Sequence, residues 1–360
     1  MNERKQILKI RNFAVSFNTS SGKLNAIRGV NFDLYQGETV AIVGESGSGK
    51  SVTVKAIMGI MSPNQVIDGG TIEFTYQDGK QGEKTVDILK LSQKQLRNEI
   101  CGRRIAMVFQ DPMTSLNPTL TIGRQLTEGM MYHFHTPKAE AYQRAEELLD
   151  LVGIHNAKDF LKSYPHQLSG GMRQRVVIAI ALACNPDILI CDEPTTALDV
   201  TIQAKILELI QDLQKKLNIS VIYITHDLGV VAKVADYVNI MYAGKLVEKG
   251  TVNDIFYDPR HPYTWGLLSS MPDLDTSDTR LYTIPGTPPN LVNKVEGDAF
   301  APRNPYALNI DLRMEPPFFK INGHHEVASW LAHPNAPKVE MPAALKARIE
   351  KMLREGENHG

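Results

Sequence analysis

The stretch Gly44 to Ser51, GESGSGKS, constrains this chain more than any other. It matches G-x-x-x-x-G-K-S and stands where that pattern has physical meaning. The compact β-branched run Thr39 to Val43 precedes it, and the helical pattern VTVKAIMGI follows. Gly44, Gly47 and Gly49 permit a tight backbone curl, with Glu45, Ser46 and Ser48 between them, whose N–H groups point inward at phosphate oxygens. The helix that follows, with Val52 in its first turn, adds its unpaired amides and its positive end. Lys50 is expected to reach the β- and γ-phosphates of a nucleotide, and Ser51 to offer a hydroxyl to Mg2+. A flexible glycine-serine turn is the bland alternative, and the flanking strand and helix argue against it. The motif alone leaves transporter, kinase and GTPase open.

A phosphate loop of this kind needs a parallel sheet beneath it. Ile188 to Cys191 and Val221 to Thr225 are apolar runs without a polar face, as central parallel strands covered on both sides require. The first 250 or so residues alternate such runs with helical patterns, an α/β rhythm. Ile7 to Phe17 and Ala26 to Leu34 read as strands with a turn at Gly22. Thr136 is expected to cap a helix opened by Pro137, with Ala141, Ala145, Leu148, Leu149 and Val152 on one face and a left-handed stop at Gly153. Ile202, Ile206, Leu209, Ile210, Leu213 and Leu217 repeat the pattern before Asn218, and a hairpin from Tyr237 to Lys249 turns near Ala243-Gly244. After about residue 255 prolines punctuate the chain and periodicity fades. That stretch reads as a small irregular extension ending in a short charged helix, Ala343 to Leu353, and a frayed EGENHG. The expected division is a nucleotide domain over 1–255 with a helical part near 116–175, an extension over 256–335, and a charged tail over 336–360.

Two further strand ends carry chemistry. Ile188-Leu189-Ile190-Cys191 leads into Asp192-Glu193-Pro194, and a carboxylate at the end of a buried parallel strand sits at the sheet edge where ligands bind. Asp192 suits Mg2+, directly or through water. Glu193, the second acid, is free to take a proton from water attacking the γ-phosphate. The competing reading is an N-cap pair at a helix start. Val221 to Thr225 ends in His226-Asp227, which makes His226 a candidate γ-phosphate donor, although a histidine after a strand is often structural.

Composition excludes several classes. Thirty-nine basic residues against forty acidic ones give a net charge of −1, so the chain offers nucleic acid no strong field. Three cysteines, at 101, 184 and 191, are too few for a disulfide scaffold and fit a reducing, intracellular setting. No stretch approaches the roughly 18 to 20 apolar residues of a membrane span, and no signal-peptide core follows the charged start.

Leu168-Ser169-Gly170-Gly171-Met172 resembles the LSGGQ signature of ABC-transporter nucleotide-binding subunits, with Met172 where glutamine is commoner. It falls between the phosphate loop and Asp192-Glu193, with RQRVVIAIALACNPDILICDEP continuous behind it, and the resemblance covers roughly Ile7 to Gly250. It implies an α/β P-loop cassette with a RecA-like core, an antiparallel β subdomain and a helical subdomain. It also implies an ATPase using ATP and Mg2+. Phe17 resembles the aromatic that stacks on adenine, with a core phenylalanine as the alternative. Gln110, in MVFQDP, resembles the glutamine that senses Mg2+ and the attacking water. Asp199, in ALD, resembles the interface aspartate, and His226 the switch histidine. In this family Ser169, Gly170 and Gly171 close over the partner's nucleotide, so two ATPs are sandwiched head to tail. The segment from about Leu116 to His166 then transmits closure to a membrane partner.

Arg260-His261-Pro262-Tyr263-Thr264, LLSSMP and Ile284-Pro285-Gly286, with the run Asp298 to Ala307, resemble the C-terminal extension of oligopeptide and dipeptide importer ATPases and of their nickel-importing cousins. Many such relatives carry four cysteines there that hold an iron–sulfur cluster. The corresponding positions here are Asp298, Asn304, Asp311 and Ser329, so no iron–sulfur cluster is expected. His261, His324, His325 and His333 are unevenly spaced and without cysteine partners, which favours structural or solvated roles over zinc. The resemblance implies a homologous second ATPase subunit (a heterodimer rather than self-pairing), two membrane permease subunits, an external peptide-binding protein, no nucleic acid, and a peripheral place on the cytoplasmic face of the membrane. Two other classes stay open. A DNA-maintenance ATPase would need a long insert and a basic footprint that are missing here, and a nucleotide-controlled module with negligible turnover is separable only by measuring phosphate release.

Overall fold

The computed structural model describes residues 4–79, 82–195, 199–271, 283–292 and 295–357. Two sheets carry the fold. β1 (Gln6–Thr19) and β2 (Gly22–Tyr35) pair antiparallel, as their alternating patterns require. β3 (Thr39–Val43), buried at every residue, runs from the sheet centre into the phosphate loop. β4 (Gln65–Asp78) and β5 (Gly82–Asp87) complete a four-stranded antiparallel sheet of order β2-β1-β4-β5.

The second sheet contains β3, β6 (Ile105–Val108), β7 (Ile188–Asp192), β8 (Ser220–Thr225), β9 (Tyr237–Tyr242), β10 (Lys245–Thr251), β11 (Phe319–Lys320) and β12 (Glu326–Val327) in the order β11-β12-β10-β9-β3-β8-β7-β6. The strands from β9 through β6 are mutually parallel. Side chains on them alternate with period two between separate cores. Leu189, Val221 and Tyr223 face a cluster built with Leu126, Ala145, Leu149, Val176 and Ile178 of the helical region. Ile42, Ile190, Ile222 and Ile224 face Leu8, Val30, Ile72 and Phe74 of the antiparallel sheet. Each such fully buried aliphatic side chain contributes about 1.5–3 kcal/mol.

The helix 138–151 buries Ala141, Ala145, Leu148 and Leu149, and Gly153 follows at φ 75°. Its start differs from the expected one. Pro137, at ψ 143°, is itself the capping residue, no side chain caps the helix, and it begins at Lys138. Thr136 follows a left-handed turn at His135 (φ 55°) and precedes a proline, which disfavours helical backbone. The helix Val200–Leu217 ends on left-handed Asn218, and the β9–β10 turn uses left-handed Ala243 and Gly244. The helix after the phosphate loop stops at Ile57, before Gly59 turns the chain at φ 65°.

The proline-rich extension is joined to the main sheet. β12 pairs with β10 and β11 with β12. The carboxylate of buried Glu248 on β10 accepts from the N–H groups of Arg260 (2.6 Å) and His261 (3.1 Å) and lies 2.7 Å from His325 Nε2. Two of the histidines that invited a zinc reading thus stand around one carboxylate, and His261 Nδ1 also accepts from the N–H of Tyr263 (3.0 Å). Asp298, Asn304, Asp311 and Ser329 are all buried, and each side-chain oxygen accepts a nearby backbone N–H, from Phe300, Tyr306, Leu308 and Leu331 respectively. Carboxylate, amide and hydroxyl turns therefore organise the region where the resemblance places thiolates. Among the described residues no cluster of three or more His, Cys, Asp or Glu side chains is arranged to hold a metal ion. The terminal helix runs from Ala343 to Glu357, and residues 358–360 of EGENHG lie outside the described residues, as does Pro272 of LLSSMP.

Candidate active site

Register in the parallel sheet brings the sequence motifs to one edge. Val43 pairs with Thr225 and Asp192 with Ile224, so Gly44, His226 and Asp192-Glu193 leave adjacent strands side by side. Val108 pairs with Cys191 and delivers Gln110 to the same edge. They line one cleft of about 1000 Å³, together with Phe17, Leu24, Ala26 and Ser46.

The loop is shaped by glycine where no other residue fits. A Cβ on Gly44 would stand 2.0 Å from the Met241 carbonyl oxygen, and Gly49 has φ 108° with Ile27 Cδ1 2.7 Å from where a Cβ would lie. Lys50 Nζ bridges the loop, donating to the carbonyls of Gly44 (2.7 Å) and Glu45 (2.9 Å). Burial lowers the Lys50 pKa, and the carboxylates of Glu193, Asp192 and Glu45 oppose that shift. Ser48 Oγ is buried and unpartnered. The first amides of the helix Lys50–Ile57 lie beyond the reach of intrahelical acceptors and stand at the positive end of the helix.

Ser51 Oγ donates to Asp192 Oδ1 at 3.3 Å, and burial raises the Asp192 pKa. A hydroxyl and a carboxylate this close, beside a phosphate cradle, form the hard oxygen pair that Mg2+ prefers. Glu193 has left-handed backbone (φ 46°), an uncommon conformation for a side-chain-bearing residue. Its N–H donates to the Ile224 carbonyl at 2.9 Å. Gln110 Nε2 donates to its Oε2 (3.0 Å), and His226 Nδ1 lies 3.1 Å from its Oε1. The expected base, the expected water-sensing glutamine and the candidate γ-phosphate donor therefore form one hydrogen-bonded group around a single carboxylate.

Phe17 is half-buried, with one side on the β-sheet core and the other on the cleft. Ser169, Gly170, Gly171 and Asp199 are absent from the cleft wall. Ser169 caps the helix Gly170–Leu182, its Oγ accepting from Met172 N–H at 3.4 Å, and Ser169 and Gly170 are exposed. A Cβ on Gly171 would press within 2.9 Å of Ile202 Cγ2, so that glycine packs the signature helix against the helix Val200–Leu217. Exposed Asp199 caps the latter, accepting from Ile202 N–H at 3.0 Å. The residues Thr196 to Leu198 before it lie outside the described residues.

Six cleft residues were not anticipated: Leu24 and Ala26 of β2, and Leu267, Ser270, Thr283 and Ile284 from the extension. Nor was the engagement of Glu45. Its N–H donates to Tyr263 Oη (2.9 Å), and its carboxylate receives Arg303. An acid inside a loop built for polyanions was the available signal, since it requires a cation nearby.

Residues 27–196 match the family model described as ABC transporter, and residues 247–310 match that of the oligopeptide/dipeptide transporter C-terminal region. Over 349 residues the chain is 57% identical to the oligopeptide transport ATP-binding protein OppD of Bacillus subtilis (strain 168), covering 96% of this chain and 95% of that protein. It is 52% identical to the dipeptide transport ATP-binding protein DppD of Lactococcus lactis subsp. cremoris (strain MG1363), covering 96% and 97%. Among solved structures, the dimeric structure of MJ0796, a bacterial ABC transporter cassette, aligns with 68% of this chain and 98% of its own at TM-score 0.58 and 28% identity.

Proposed function

The chain belongs to the oligopeptide/dipeptide branch of the ABC-transporter ATP-binding subunits, and from that premise we propose that it hydrolyses ATP to power import of oligopeptides across the cell membrane. One observation carries the chemistry. The phosphate loop, the Ser51–Asp192 pair and the Gln110–Glu193–His226 group meet at one sheet edge.

ATP lies in the cleft with its base against Phe17 and its phosphates in the loop Gly44–Ser51. Lys50 exchanges the Gly44 and Glu45 carbonyls for β- and γ-phosphate oxygens, so its ammonium is already in position before nucleotide enters. Ser51 and Asp192, with Gln110 beside them, would hold Mg2+, which would supply charge neutralisation on the phosphates. Glu193 takes a proton from the attacking water. Gln110 and His226 engage one oxygen each and so fix the plane of the carboxylate, and His226 shares the cleft with the phosphate loop, where its ring serves the γ-phosphate.

No residue of the chain's own signature lines the cleft. Ser169, Gly170, Gly171 and Asp199 serve the partner subunit's nucleotide, and the partner's equivalents serve this one. ATP thus joins two chains, and loss of the γ-phosphate releases them. The family reading adds permease and substrate-binding partners. A homologous, non-identical ATPase is the second half of the sandwich. The apolar groove beside Gln110, lined by Ile60, Phe109, Leu116 and Ile180, is where the membrane subunit docks, with the chain peripheral on the cytoplasmic face. Among the described residues no helix is long and apolar enough to cross a membrane.

The decisive experiment is phosphate release by the chain alone and after assembly with membrane subunits and binding protein. Turnover in the assembly that rises with added oligopeptide supports the reading. Dipeptide or nickel stimulation without an oligopeptide response moves the cargo assignment, and negligible turnover in the assembly overturns the ATPase role.

A further inference from the structure

Glu45 is an acid inside a loop that must accept a polyanion, and the extension neutralises it. Arg303 places its planar fork on the carboxylate, with Nη1 to Oε2 at 2.6 Å and Nη2 to Oε1 at 3.0 Å. The Arg303 side chain is 4% exposed. Its remaining donors go elsewhere: Nε to the Pro285 carbonyl (2.8 Å), Nη2 also to the Ile284 carbonyl (3.4 Å), and Nη1 also to Tyr242 Oη (3.3 Å). The strap so held includes Thr283 and Ile284, which line the nucleotide cleft. Tyr263 Oη accepts the Glu45 N–H at 2.9 Å. Tyr242, Tyr263 and Phe300 pack ring against ring behind it, at 4.7 to 5.4 Å between centroids. On the other side of the same residue, the Glu45 carbonyl accepts from Lys50. One buried guanidinium therefore connects the extension, the cleft wall and the residue that carries the phosphate-binding lysine.

We propose that Arg303 is a positioning residue for the ATP reaction: through Glu45 it sets the entry to the phosphate loop, and through the Ile284 and Pro285 carbonyls it holds the extension's strap against the nucleotide. The C-terminal extension is then a working part of the ATP site. This rests on the reading that ATP occupies the cleft.

The test uses the full chain in the assembled transporter and compares Arg303→Met, Glu45→Gln and the double variant for ATP KM and kcat. Arg303→Met leaves the Glu45 charge bare beside the triphosphate and frees the strap. It is expected to raise the ATP KM about tenfold with kcat within about twofold, the signature of lost uniform binding. The same substitution on the Glu45→Gln background is expected to raise KM by a smaller factor, about threefold, because the bare charge is gone and only the hold on the strap is then lost. Arg303→Lys, which keeps the charge and loses the fork, should fall between wild type and Arg303→Met.

An unchanged KM in Arg303→Met, or an equal factor with and without Glu45, overturns the proposal. Should Arg303→Met fail to fold, Glu45→Gln decides, because Arg303 keeps its carbonyl partners there and an unaltered ATP KM refutes the coupling. Lys50→Ala separates the two levels. If it binds ATP as tightly as wild type, the nucleotide reading itself fails; if it loses ATP while Arg303→Met does not, only the positioning role fails.

Discussion

Asp298 offers a prediction whose size follows from its surroundings. It occupies one of the four extension positions where the family resemblance places cysteine, and burial pushes its pKa up to about 6, with Asp311 and Glu315 adding to the shift and the Phe300 N–H and Arg28 opposing it. The native chain binds this proton more tightly than the unfolded chain, whose carboxyl titrates near 4. The stability contribution is therefore complete below about pH 4 and is lost as pH rises through about 6. A shift of roughly two units corresponds to about 3 kcal/mol as an upper figure. Asp298→Asn removes the titration and keeps an oxygen for the Phe300 N–H. The variant should match wild type near pH 3.5 and exceed it by up to about 3 kcal/mol near pH 7.5. Urea unfolding followed by tryptophan fluorescence reads this locally, because both tryptophans, Trp265 and Trp330, lie in the extension. A difference that stays constant from about pH 3.5 to 7.5 would refute the burial argument.

Other outcomes follow from the same geometry. Glu193→Gln should retain ATP, stabilise the closed pair of subunits and lower phosphate release by about 10² to 10⁴; release at the wild-type rate from the assembled transporter removes Glu193 as base. Lys50→Ala should weaken ATP at least about tenfold in a calorimetric titration, since its ammonium is replaced by nothing that can reach the phosphates. Purified chain should be colourless and carry less than about a tenth of an iron per molecule, because no thiolate follows Cys191; iron and labile sulfide near one cluster per chain contradict that.

The nucleotide end of the molecule was legible because its signals are local. Gly44, Asp192-Glu193 and His226 each stand at the end of an apolar run, and parallel pairing places the ends of such runs together, as Val43 with Thr225 and Asp192 with Ile224. The resemblance named roles for Gln110 and His226 one by one; that both meet on Glu193 is visible only in the structure, since spacing says nothing of which side chains meet. β4 and β5 were not located, although Ile72, Phe74 and Tyr76 alternate inward as strand residues should. β6 is four residues long and too short for periodicity to register. The Arg303–Glu45 pair joins residues 258 positions apart, and no pattern in sequence measures such a distance. Thr136 was misjudged as a cap because its side-chain chemistry is right while the proline after it fixes the backbone otherwise.

Coupling of ATP to transport requires the signature loop of one chain to reach the nucleotide of another. The direct measurement is a structure of the assembled transporter carrying Glu193→Gln, solved with ATP and Mg2+. Ser169 Oγ is predicted within hydrogen-bond distance of the γ-phosphate held by the partner's phosphate loop, with Lys50 on this chain's own ATP. A fully closed complex in which Ser169 stands away from every nucleotide would contradict it.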